Sequence, residues 1–155
     1  VPDQTIQQVE IDGGVVVGVD SSASSLRALI VAAEEARRRS VPLHVVRAWS
    51  FRTAPRPADC PPNVVPSMDE FQQSVLADTE RIVANKLGEH PDLPVHIHVV
   101  HSPSPQALLS ASRGADLLVV GHRGRGGFAG LMLGSVAEQC VRHAACPVLV
   151  VRPSV

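Results

Sequence analysis

The chain is 155 residues long, 45% hydrophobic and 19% charged, with a formal net charge of −1. That length suits one domain burying roughly 70% of its unfolded surface, and the near-neutral balance excludes a global basic field for nucleic acid or membrane surfaces. Aromatics are 3% with no tyrosine, so the core must be aliphatic and stacking platforms for single-stranded nucleic acid are excluded.

Residues 1–13 are polar and lack a strong period, which predicts a loose leader, with a single domain over 14–153. Val15-Val16-Val17-Gly18-Val19 is short, apolar and β-branched, as a strand buried on both faces should be. Asp20 and the cluster Ser21, Ser22, Ser24 and Ser25 end it and can cap the next helix. Leu26, Leu29, Ile30, Ala33 and Ala36 then keep helical spacing to about Arg39, and Pro42 breaks the pattern.

Leu43 to Trp49 reads as the second strand. Residues 52–66 hold five of the thirteen prolines and no period, predicting a mobile loop. Asp69 to about Gly88 is a second helix, with Phe71, Val75, Leu76, Thr79, Ile82, Val83 and Leu87 along one side. Val95–Val100 is a third strand. Ser104-Pro105 opens a short helix with Ser as cap and Pro in the first turn, stopping at Gly114. Asp116–Val120, a glycine loop over 121–134, a helix from Ser135 to about Ala144 and a strand over Pro147–Val151 complete the chain.

Strands separated by helices predict an α/β fold with a parallel sheet, right-handed crossovers and helices on both faces. Ligands of such sheets sit beyond the carboxyl ends of the strands, where the strand order reverses. The loops leaving the first and fourth strands therefore become the candidate site.

Six of the eleven glycines lie in 121–134. Each loses backbone entropy on ordering, a poor choice for mere connection. Gly121, Gly124 and Gly134-Ser135 frame the loop, and a helix comes at once after them. Bare backbone plus a helix N-terminus, with its unpaired N–H groups and partial positive charge, makes a phosphate cradle and points to a nucleotide. Ser135 has two readings: its Oγ binds phosphate oxygens, or Ser135 and Glu138 form a capping box. Asp20 can accept from ribose hydroxyls, ligate a divalent ion carried on phosphates, or simply cap the first helix. Arg123 and Arg125 can neutralise a phosphate tail or stand as solvated charge.

Several rival sites fail. Gly124 to Ala129 matches the dinucleotide pattern formally, but only one strand remains after it and no acidic residue ends that strand. The P-loop ending is absent. His96, His98 and His101 cluster, with His96 and His98 on one strand face, but they lack the Cys or carboxylate partners of a metal site. No nucleophile stands beside His122 and no triad is evident, so no catalytic residue is assigned. No apolar run approaches the ~20 residues of a membrane helix. The start of the sequence has no charged segment followed by an apolar one. Cys60, Cys140 and Cys146 suit reduced thiols, so a cytoplasmic location is expected.

The frame Gly121-x-x-Gly124-(nine residues)-Gly134-Ser135, with Val15–Asp20 before it and Cys146-Pro147-Val148-Leu149-Val150-Val151 after it, resembles the universal stress protein family in its nucleotide-binding form. The likeness runs from about Gly14 to Pro153. His101-Ser102-Pro103 departs from it, standing where relatives commonly have glycine. The resemblance implies a three-layer, adenine nucleotide α-hydrolase-like sandwich with strand order 3-2-1-4-5. ATP would lie between the first- and fourth-strand loops, with Mg2+ or Mn2+ held at Asp20 only through the nucleotide. By position, Asp20 would meet the ribose or a phosphate-bound metal, Gly121 the ribose and Ala48 the adenine, with Gly18 and Val120 also among the nucleotide-binding residues. Gly124, Arg125, Gly134, Ser135 and Val136 would hold the phosphates.

It also implies a homodimer paired through Val148–Val151, which would cover an apolar edge strand. The expected role is an ATP-dependent sensor or regulator of the stress response. Hydrolysis would be slow at most, since no base for water and no arginine finger is evident. The alternative is a nucleotide-free dimeric interaction module. An adenylating enzyme is disfavoured, because Val19-Asp20-Ser21-Ser22-Ala23-Ser24 lacks the Ser-Gly-Gly-x-Asp-Ser loop of that class.

Overall fold

A computed structural model describes residues 8–123 and 133–152. The elements run β1 (Val15–Gly18), α1 (Ala23–Arg39), β2 (Leu43–Trp49), α2 (Met68–Leu87), β3 (Val95–His101), α3 (Ser104–Ser112), β4 (Leu117–Gly121), α4 (Ser135–His143) and β5 (Val148–Val151). All strands pair in parallel, in the order β3-β2-β1-β4-β5. Direct hydrogen bonding of β1 to both β2 and β4 puts the reversal of strand order between β1 and β4.

Alternation along the strands builds two cores. Val15, Val17, Leu43, Val45 and Val119 face α1 and α2. Val16, Val46, Leu118 and Val120 face α3 and α4. The valine-rich runs therefore serve both faces at once, as parallel strands require. On α1 the buried stripe is Ala28, Leu29, Ala32, Ala33 and Ala36; alanines let the helix lie close on the sheet. Arg37, Arg38 and Arg39 complement its carbonyl end.

Four local expectations are corrected. The leader is not loose from Val9 on: Val9 is buried, and its N–H donates to Ser110 Oγ at 3.2 Å. The proline-rich loop is tied down: the Arg56 guanidinium donates to the Val64 carbonyl at 2.7 Å, and Ser74 Oγ to the Pro55 carbonyl at 2.8 Å. Pro103, not Ser104, holds the cap position of α3, and Pro105 falls within its first turn. The histidine group is split by strand alternation. His101 packs on the Trp49 ring at 4.7 Å between centroids, while His44 of β2 joins His96 and His98 on the opposite face.

Candidate functional site

Beyond the carboxyl ends of β1 and β4 lies a cleft partly open to solvent. Gly18, Val19 and Asp20 form one wall, and Val120, Gly121 and Arg123 the other. Val46 and Ala48 of β2, with Ser104 and Leu108 of α3, line the end away from β5. Val136 and Ala137 bring in the first turn of α4. The fold thus gathers Gly18, Asp20, Ala48, Val120, Gly121 and Val136 around one space, from four separate elements and the β1–α1 turn. Residues 50–67 contribute nothing to this lining.

The acidic wall is built in advance. Asp20 Oδ1 accepts the Ser22 N–H at 3.0 Å, and the Asp20 N–H donates to Ser25 Oγ at 3.1 Å. Ser21 turns the chain through the left-handed region, at φ 68°. Ser22 caps α1 by accepting from the Ser25 N–H at 3.2 Å. Asp20 is therefore not the helix cap; its carboxylate is oriented by the turn and lines the cleft.

The opposite wall carries donors. Gly134 occupies the cap position of α4 and Ser135 is the first helical residue, neither of them among the residues lining the cleft, and among the described residues no side-chain hydrogen bond caps the helix. The capping-box reading of Ser135 and Glu138 is corrected accordingly: glycine holds the place where serine was needed. α3 also starts without a side-chain cap. Two helix N-termini, each with partial positive charge, thus meet the cleft beside Arg123. Gly124 and Arg125 lie outside the described residues.

Sequence reading missed Val19, Ser25, Val46, Ser104, Leu108 and Ala137 in this lining. Leu108 packs against Gly18, where a Cβ would stand 2.8 Å from Leu108 Cδ1, a contact that nothing in the sequence signals. The rest come from tertiary juxtaposition, which periodicity does not encode. Among the described residues no group of three or more His, Cys, Asp or Glu side chains can hold a metal ion. Among the same residues no helix is long and apolar enough to cross a membrane.

Apolar side walls, an oriented carboxylate and two positive helix ends define a class: a parallel α/β protein with a switch-point cleft suited to a ring, hydroxyls and an anionic tail. Residues 14–152 match the model of the universal stress protein family, and the chain belongs to that family. A universal stress protein of Mycobacterium tuberculosis, Rv2623, is 36% identical over 140 residues, covering 90% of this chain and 45% of that protein. The chain spans about half the length of the curated relatives it matches. A universal stress protein solved in complex with cAMP is 28% identical, with a TM-score of 0.59, covering 92% of this chain and 98% of that one. The Archaeoglobus fulgidus universal stress protein in complex with dAMP is 26% identical, with a TM-score of 0.58 over 89% and 96% of the two chains.

Proposed function

We propose that this universal stress protein domain binds ATP in the β1/β4 cleft and works as a nucleotide-dependent regulator in the stress response. The observation that carries the reading is the cleft itself, lined by apolar Val46, Ala48 and Leu108 and by Val136 and Ala137 of the first turn of α4. The first suits an adenine ring and the second a phosphate chain. The cAMP and dAMP complexes of relatives support an adenine nucleotide as the ligand class. Asp20 would meet ribose hydroxyls, or a divalent ion arriving with the phosphates. Gly124, Arg125, Gly134 and Ser135 would supply the phosphate grip. Any hydrolysis would be slow, because no side chain is assigned as base for the attacking water. The site acts in a homodimer formed through β5, in the cytoplasm.

Calorimetric titration with ATP, ADP, AMP and cAMP, with and without Mg2+ or Mn2+, tests the proposal. Micromolar binding of ATP, about −8 kcal/mol, is expected. Gly124→Val should abolish it while circular dichroism stays unchanged. A flat titration at millimolar ATP would leave the nucleotide-free interaction module as the reading.

A further inference from the structure

A side chain of α1 reaches across to the β4 wall of the cleft. Ser24, in the first turn of α1, accepts the N–H of Arg123 on its Oγ at 3.2 Å, across 99 positions of sequence. Gly121 makes this approach possible: a Cβ there would stand 2.8 Å from the Ser24 carbonyl carbon and 2.9 Å from its oxygen. Both are main-chain atoms, so no rotamer change relieves the contact. Ser24 is not occupied in capping α1, since Ser22 does that.

Among the described residues the same stem is also tied through the main chain. The His122 N–H donates to the Val151 carbonyl at 2.8 Å, and the His122 carbonyl accepts the Gly134 N–H at 2.8 Å. These are main chain to main chain. Ser24 acts through its side chain, and it holds the residue that leads directly into Gly124 and Arg125. The other end of the cleft, at Val46, Ala48 and Leu108, is built on β2 and α3.

We infer that Ser24 is a positioning residue. It latches the β4 exit to α1 and so sets affinity for the phosphate end of the nucleotide, not for the base end. This rests on the nucleotide reading above. Removing the hydroxyl takes away the Oγ acceptor of the Arg123 amide and loosens the β4 exit at that point, while the apolar end keeps its shape.

Ser24→Ala and Ser24→Thr, titrated with ATP and with adenosine, test the latch beside amide exchange at Arg123 in the nucleotide-free protein. In Ser24→Ala, ATP should bind about three- to ten-fold more weakly, the loss of one hydrogen bond. Adenosine should be unchanged, and the Arg123 amide should exchange several-fold faster. Ser24→Thr, which keeps the hydroxyl, should restore both. Unchanged ATP affinity in Ser24→Ala overturns the inference, as does an equal loss of ATP and adenosine. If wild-type protein binds neither ligand, the functional reading fails and this role with it; faster Arg123 exchange would then mark a purely structural contact.

Discussion

Gly18 and Gly121 face the same cleft but are glycines for different reasons. A Cβ at Gly121 runs into the main chain of Ser24, which cannot step aside. A Cβ at Gly18 meets Cδ1 and Cδ2 of Leu108, at 2.8 and 3.1 Å, the far end of a side chain. Gly121→Ala should therefore cost about 1–3 kcal/mol of stability, the usual penalty of overpacking. Gly18→Ala should cost less, because Leu108 can turn and alanine restricts the unfolded chain. Urea midpoints decide between them; a larger loss for Gly18→Ala would reverse the argument. The glycine frame was legible because glycines are rarely concentrated without cause. Its partners were not, since neither Leu108 nor Ser24 carries a local sign of what it touches. Ser135 shows the same limit, with a sequence that fits a cap and a backbone that gives the cap to Gly134.

The β2–β3 pair shows what an element adds to its residues. Register sets His44 opposite His96 and two positions from His98, on the same face. His44 Nδ1 and His98 Nε2 lie 2.9 Å apart, and the His44 and His96 rings stack at 5.1 Å. The Gly13 backbone also hydrogen-bonds the His44 ring. Burial, then the neighbouring His98 and His96, push His44 down to about 4 from 6.5. Burial, then His96, lowers His98 as well. Residues 104–112 of the overlying α3 carry no charge. Asp116 spends its carboxylate on the Gly14 N–H at 2.8 Å.

Between about pH 6.5 and 4 the unfolded chain thus holds more protons at His44 than the folded one. Stability should rise with pH through that window and be lost as pH falls through it. Urea midpoints at pH 7, 5.5 and 4.5 should drop accordingly, and His44→Leu should flatten the decline. An equally steep decline in His44→Leu would assign it to carboxylates instead. From sequence alone His96 and His98 were placed together, but His44 was invisible until the strand pairing was known.

Across the whole molecule, periodicity supplied alternating strands and helices, hence a parallel sheet. The order 3-2-1-4-5 came from the family likeness, because crossover lengths do not say which side of β1 the fourth strand joins. That order leaves β5 at an edge, with Val148, Leu149 and Val150 only partly buried. Arg27 of α1 reaches the Arg152 carbonyl with its Nε at 2.9 Å, and Ile30, one turn on, is 40% exposed. An open edge flanked by apolar side chains invites pairing with another strand. Light scattering after gel filtration should find the wild-type domain dimeric. Leu149→Lys puts a charge on the pairing edge without entering the cleft, so it should yield a monomer that still binds ATP. A Leu149→Lys protein that stays dimeric would move the interface off β5, and a monomer that loses ATP would show that the second copy helps to shape the site.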